Sequence, residues 1–219
     1  MARTIKGPGP RVYVGRAYEE PESNVQAIRV SGSAIVAGMK RVTLISTGGT
    51  IEKTYDERTG TLANKRSIVD TMLSALRLED ISINSIQLLS KDSQDFTHGD
   101  RKRILDMVRV MTEDAGPDDG GVVILHGTDT LSVTGELLHN SLFESGPAGK
   151  GDAPGVPTVL TGAMRPYEMK RSDALQNLTE AIFAAGVMSP GVYAVAHGRA
   201  IPFPGVVKDM DRGTFVRLD

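Results

Sequence analysis

Apolar and polar positions follow two rhythms along this chain. Apolar runs at residues 41–46, 85–90, 121–126, 157–162 and 191–197 predict five strands, and the last three are near-continuous, which suits strands covered on both faces. Between these runs the apolar residues recur with a helical period. Ile104, Leu105, Val108 and Met111 mark one helix, Leu131, Leu138 and Leu142 a second, and Leu175, Leu178, Ile182 and Ala185 a third. The stretch SIVDTMLSAL, residues 67–76, predicts a further short helix, and Thr97 or Asp100 can cap the helix that precedes Ile104. A Gly/Pro-rich loop over 145–157 separates the second long helix from the fourth strand, and a short apolar piece at 214–218 ends the sequence. Strands alternating with helices in this way predict an α/β fold: a three-layer, flavodoxin-like or Rossmann-like, mostly parallel sheet with helices on both faces.

Neither rhythm holds before residue 39. The first 38 residues mix charges and serines with a Gly-Pro-Gly-Pro run and hold no apolar stretch of signal-peptide length. Residues 1–38 are therefore expected to be a weakly ordered extension, with Met39 opening a domain that covers 39–219. No segment has the length of a membrane span. A net charge of −2 offers no basic face to nucleic acid or to an anionic membrane, so small molecules are the expected partners. The absence of cysteine removes disulfides, thiolate metal sites and a cysteine nucleophile together, and fits a cytoplasmic location. Any nucleophile must be a hydroxyl, an amine or a carboxylate.

In an open parallel sheet, ligands bind outside the carboxyl ends of the strands. In this sequence those ends carry Thr47-Gly48-Gly49-Thr50, Asp92-Ser93-Gln94-Asp95, Gly127-Thr128-Asp129-Thr130 and Ala163-Met164-Arg165-Pro166, and after the fifth strand a loop reaches Lys208. Each has an ordinary reading when taken alone. The double glycine is a tight turn or a phosphate cradle, Asp129 a helix cap, His126 a strand-end histidine with a local hydrogen bond, Arg165 a loop pin and Lys208 a solvated cation. Their co-occurrence at one sheet edge outweighs those readings.

TGGTIE, DSQD, HGTDTL, GAMRP and a downstream lysine, in that order, resemble the bacterial-type L-asparaginase family of threonine amidohydrolases over residues 41 to about 216. The resemblance implies hydrolysis of the side-chain amide of L-asparagine, with L-glutamine as a second substrate, and no metal or other cofactor. It implies Thr50 as nucleophile, with Thr128, Asp129 and Lys208 handling the proton, and Ser93 and Gln94 binding the substrate carboxylate. Elementary chemistry agrees with these roles. A threonine hydroxyl attacks only if a base takes its proton, and a lysine desolvated at the sheet edge can be such a base. Gly48 and Gly49 let backbone and substrate approach closely. Backbone N–H groups of the glycine turns are expected donors to the oxyanion. Asp129 also suits the substrate ammonium, and Asp95 can orient its neighbours.

Two departures from the family pattern stand out. Family members carry a lid tyrosine about a dozen residues past the nucleophile; here that stretch reads GTLANK, with Thr61 near the expected place and Tyr55 the nearest tyrosine and candidate substitute. Residues 52–65 remain a plausible polar lid. Family members also continue into a smaller C-terminal domain that supplies a carboxylate to a neighbouring protomer, so this sequence reads as a short form or a fragment. An open site with weak substrate binding, in at least a homodimer built through sheet-flanking helices, is the expectation. Two other functions compete: a catalytically silent amino-acid-binding module, and an amidotransferase component that passes ammonia to a partner protein. Thr128 and Lys208 argue against the first, because simple binding needs neither.

Overall fold

A computed structural model of the protein describes residues 39–113, 115–116, 119–144 and 153–218. The expected extension over 1–38 and most of the expected loop at 145–157 lie outside the described residues. The centre of the molecule is a six-stranded sheet in the order β4-β1-β5-β6-β7-β8. Its strands are β1 (Lys40–Gly48), β4 (Ile81–Lys91), β5 (Asp119–Leu125), β6 (Thr158–Thr161), β7 (Val192–Ala196) and β8 (Arg199–Pro202). All neighbouring pairs are parallel except β7 with β8.

Side-chain alternation sorts the apolar runs into two cores. From β1 and β5, Ile45, Val122 and Ile124 point to one face, where α2 (His98–Thr112) and α3 (Leu131–His139) cover them with Ile104, Val108, Leu131 and Leu138. Leu44, Val123 and Leu125 point to the other, under α1 (Val69–Ser74) and α4 (Ala174–Val187), which contribute Met72, Leu178 and Ile182. Covered on both faces, these strands carry apolar residues on both sides along their middles, as Leu44-Ile45 and Val122 to Leu125 do. The fold is the three-layer α/β arrangement expected.

Chain order reverses at β1. The chain passes from β1 to β4 on one side and then to β5 on the other, so the β1/β5 junction is a switch point with a crevice at its carboxyl end. The long crossovers are anchored locally. α2 starts with a capping box in which Thr97 Oγ1 accepts the Asp100 N–H at 3.1 Å and the Asp100 carboxyl accepts the Thr97 N–H at 2.9 Å, so both candidate caps act at once. That N–H, then Lys91, holds the Asp100 carboxyl down at about 2.

Some elements differ from expectation. β4 begins at Ile81 rather than 85, since Ile81 and Ile83 alternate with Ser82 and Asn84 along an edge strand. Leu142 is buried in a single π-type turn, Asn140–Glu144, that extends α3. The expected lid holds a small hairpin of β2 (Thr54–Asp56) and β3 (Thr61–Ala63). The expected loop to Lys208 is instead the edge strand β8 followed by a second hairpin of β9 (Val206–Asp209) and β10 (Thr214–Arg217), so the terminal apolar piece pairs with β9 and not with the main sheet. Among the described residues no helix is long and apolar enough to cross a membrane.

Candidate active site

Close backbone approach fuses the strand-end turns. A Cβ on Gly49 would lie 2.4 Å from the Gly127 nitrogen, one on Gly127 2.5 Å from Ser93 Oγ, and one on Gly162 2.3 Å from the His126 carbonyl oxygen. The ends of β1, β4, β5 and β6 therefore touch where only glycine fits. Gly48 and Gly49 also have φ of 94° and 79°, a left-handed conformation that other residues rarely adopt. Through these contacts the turns bearing Thr50, Ser93 and Thr128 converge at the switch-point crevice.

Thr50 opens a single 3-10 turn, Thr50–Glu52, and is half-buried. Thr128 is buried directly after β5. Lys208 reaches it from β9, its side chain 16% exposed, and its Nζ donates to Thr128 Oγ1 at 2.9 Å and to Asp129 Oδ1 at 2.5 Å. The other Asp129 oxygen accepts from Gln94 Nε2 at 2.6 Å. The Lys208 ammonium holds the Asp129 carboxyl below the usual range, against partial burial that works the other way. Ser93 is buried, and its Oγ accepts the Thr130 N–H at 3.4 Å, which leaves its hydroxyl hydrogen free to donate. Gln94 is fixed from behind by Asp92, whose Oδ1 accepts the Gln94 N–H at 3.2 Å and whose Oδ2 takes Lys53 Nζ at 2.6 Å. Asp95 closes the Ser93–Asp95 turn through its N–H to the Asp92 carbonyl.

Lys208 owes its position to the second hairpin. Val206 and Phe215 bury their side chains in the core under α3, Phe215 is the cross-strand partner of Lys208, and the Gly205 N–H donates to Glu136 Oε1 on α3 at 2.6 Å. A polar cluster secures the outer end. Asp173 accepts the N–H groups of Met164 and Arg165 at 2.9 and 3.0 Å and takes His197 Nε2 at 2.8 Å, while His197 Nδ1 contacts Thr214 Oγ1 on β10 at 2.9 Å. The GAMRP loop is thus pinned through the backbone of Arg165. Asp173, just before α4, carried only a helix-start signal in the sequence.

One expectation about the glycine turns changes. The Gly48 N–H donates to Glu52 Oε2 at 3.0 Å and the Gly49 N–H to the Lys91 carbonyl at 2.9 Å, so neither is free for an oxyanion. Glu52 itself, buried and bonded to Ser46, Gly48 and Ser67, was missed, because a glutamate after an apolar residue at a turn reads as solvent-facing. Tyr55 sits on β2, 57% exposed, and its backbone N–H donates to Glu168 Oε2 at 2.6 Å. Thr61 begins β3, its hydroxyl 2.8 Å from that of Thr59. His126 is fully buried; Nδ1 meets the Gly127 carbonyl and Nε2 the Thr134 hydroxyl, each at 2.8 Å, and burial pushes it down to about 4. Between the β2–β3 hairpin and the end of β4 lies a cavity of about 460 Å³ lined by Lys53, Leu62, Asn64, Lys91, Asp92 and Asp95. Among the described residues no cluster of three His, Asp or Glu is arranged to hold a metal ion.

Known proteins resemble this chain in both sequence and structure. A glutamyl-tRNA(Gln) amidotransferase component from Methanococcus maripaludis is 29% identical over 180 residues, which covers 82% of this chain and 39% of the relative. L-asparaginase 2 of Bacillus subtilis is 28% identical over 175 residues, covering 77% and 43%. The solved structure of the thermostable L-asparaginase from Thermococcus kodakarensis superposes with a TM-score of 0.67 at 27% identity, over 81% of this chain and 51% of that one. The chain thus spans about half the length of that structure and less of the two relatives. The family profile "Asparaginase, N-terminal" matches residues 41–210, and the chain belongs to that family.

Proposed function

We propose that the protein hydrolyses the side-chain amide of L-asparagine to L-aspartate and ammonia, with Thr50 as nucleophile. The observation that supports this most is the Lys208 contact to Thr128 and Asp129, made across 80 and 79 residues of sequence between a hairpin and the end of β5. Simple turns and caps have no need of it.

The substrate ammonium binds Asp129 and displaces the Gln94 amide, which turns with the free Ser93 hydroxyl toward the substrate carboxylate. Thr50 Oγ1 attacks the amide carbon, and its proton passes by way of the Thr128 hydroxyl, which Lys208 Nζ holds in place, toward the amide nitrogen. With the Gly48 and Gly49 N–H groups engaged elsewhere, the Gly127-Thr128 turn supplies donors to the oxyanion. Collapse of the tetrahedral intermediate delivers the proton to the leaving nitrogen as ammonia departs. Water then cleaves the threonyl ester by the reverse proton path. No step calls for a cofactor. The β2–β3 hairpin serves as the lid, with Tyr55 the candidate to assist Thr50 when it closes. Residues 39–219 form the working domain in this reading, located in the cytoplasm as a homo-oligomer; Phe183 and Val187, both exposed on α4, support contact through that helix.

A second reading is favoured by the relative named as part of an amidotransferase: the ammonia passes to a partner protein instead of to solvent. Ammonia release by the purified chain with asparagine and with glutamine, repeated on Thr50→Ala, is the deciding measurement. Thr50-dependent release from asparagine upholds the hydrolase. Preference for glutamine moves the weight to the amidotransferase reading, and no release from either leaves the silent binding module.

A further inference from the structure

Glu52 is buried, at 2% exposure, two residues after the proposed nucleophile, and it has no part in the proton path. Its carboxylate faces donors alone. Oε2 accepts the Ser46 hydroxyl and the Gly48 N–H, and Oε1 accepts the Ser67 hydroxyl at 2.6 Å. These donors come from three places: the inner face of β1, the left-handed turn that presents Thr50, and the segment that follows the β2–β3 hairpin. Ser67 in turn accepts the Val69 N–H at the start of α1, at 3.3 Å. One side chain therefore joins both ends of the lid hairpin, which leaves the chain just after Thr50–Glu52 and returns just before Ser67.

The bond to Gly48 acts on the backbone itself. Gly48 is held at φ 94° with no room for a side chain against the Lys91 backbone, 2.6 Å from where a Cβ would stand. Its N–H is held by a buried carboxylate oxygen, and hydrogen bonds to a charged acceptor are the strong ones. Through these bonds one carboxylate touches both Ser67, beyond the far end of the hairpin, and the Gly48 peptide, two residues before Thr50.

We propose that Glu52 is a positioning residue: its buried carboxylate couples the β2–β3 hairpin, through Ser67, to the setting of Thr50 through Gly48. The catalytic half of this inference rests on the hydrolase reading, and the mechanical half does not. Two measurements on the full chain separate them: hydrogen exchange at the Gly48 amide and through residues 54–63, and steady-state ammonia release. Ser67→Ala cuts only the hairpin link, and Glu52→Gln keeps the volume while removing the charge. Both are expected to speed exchange at Gly48. Both should also lower kcat by about ten- to a hundred-fold while KM stays within roughly two-fold, the signature of a misplaced nucleophile and not of a lost substrate contact. Unchanged Gly48 exchange in Ser67→Ala overturns the proposal whether or not the chain turns over asparagine. Faster exchange with an unchanged kcat in an active chain overturns it as well, because the link then stops short of Thr50. A wild-type chain that releases no ammonia sinks the hydrolase reading, and the Gly48 amide still decides the coupling.

Discussion

Lys208 reaches Thr128 and Asp129 from a hairpin whose Val206 and Phe215 are part of the main core, whereas the β2–β3 hairpin beside Thr50 turns Tyr55 and Leu62 into solvent. The first hairpin is held by apolar burial and by the Asp173, His197 and Thr214 cluster. The second is held by polar contacts at its margins: Lys53 with Asp92, Lys65 with Asp56, and the Tyr55 N–H with Glu168. Each buried apolar side chain contributes on the order of 1.5–3 kcal/mol. Ion pairs open to water, which screens them, contribute less than that. The side that carries Lys208 is therefore the more firmly held, and the side beside Thr50, the proposed nucleophile, the more loosely held. That division suits acyl transfer, in which preset dipoles meet developing charge and a lid admits substrate and then excludes water.

The strongest way to break this comparison is to remove one hydroxyl from each side. Thr128→Val is expected to lower kcat by roughly 10²–10⁴-fold, since it interrupts the transfer of one proton, and Thr50→Ala by at least as much, since it removes the attacking hydroxyl. Melting temperatures should stay close to wild type, as little volume is lost in either variant. The two should differ before the steady state: Thr128→Val keeps the attacking group and can still form a slow acyl-enzyme, which Thr50→Ala cannot. Mass spectrometry of quenched enzyme with asparagine reads the adduct, and an acylated Thr50→Ala protein would remove Thr50 from its role.

Asp129→Asn acts on binding first. The substrate ammonium loses its counter-charge and Lys208 loses a partner at 2.5 Å. Hydrogen bonds to charged groups contribute about 1.5–3 kcal/mol, so KM should rise roughly ten- to a hundred-fold. An unchanged KM would take Asp129 out of the ammonium site.

How much of this the sequence disclosed follows from what holds each part. The central parallel strands are legible because burial on both faces favours apolar runs, as in Val122 to Leu125. The α2 cap was legible because Thr97 and Asp100 stand at the capping-box spacing. β2 and β3 were not, since three-residue strands are too short to show alternation. β8 and β9 look like loop in the sequence because Pro202, Pro204 and Gly205 interrupt the pattern, although the antiparallel edge and the hairpin accept them. At the site, Thr128, Asp129 and Lys208 were named from the motifs, and the structure adds their contact. Glu52 stayed hidden: its three donors, Ser46, Gly48 and Ser67, are ordinary residues whose convergence depends on how the chain folds back.

Acid should expose the firmly held side. Folding pushes buried His126 down to about 4, from roughly 6.5 in an unfolded chain. The unfolded state therefore binds a proton between those values that the folded state refuses. The stability this group contributes is complete above pH 6.5 and is lost as pH falls toward 4, with a slope approaching about 1.4 kcal/mol per pH unit. Below 4 both states carry the proton and the loss levels off. His126→Gln, which can still bridge Gly127 and Thr134, should flatten the pH dependence of urea midpoints between 7 and 4.5. Equal slopes in the two proteins would mean that His126 does not govern the acid response of this side.

The smallest effect is expected at Tyr55, and it sharpens the comparison most. Its phenol is exposed on β2, while its backbone N–H is what docks the hairpin against Glu168. Tyr55→Phe keeps the ring and the backbone contact and deletes only the hydroxyl. A phenol that takes part in proton transfer when the lid closes costs about 10²-fold on removal. With the relay of Thr128 and Lys208 already in contact, the dependence on Tyr55 should fall short of that, with a modest loss in kcat and an unchanged melting temperature. Glu168→Ala supplies the contrast, because it frees the strand without touching the phenol and should raise KM by loosening the lid. If Tyr55→Phe alone lowers kcat by the full 10²-fold with KM unchanged, the hairpin brings in a catalytic group that Lys208 does not replace, and the division between a firmly held Lys208 side and a loosely held Thr50 side fails at its most exposed residue.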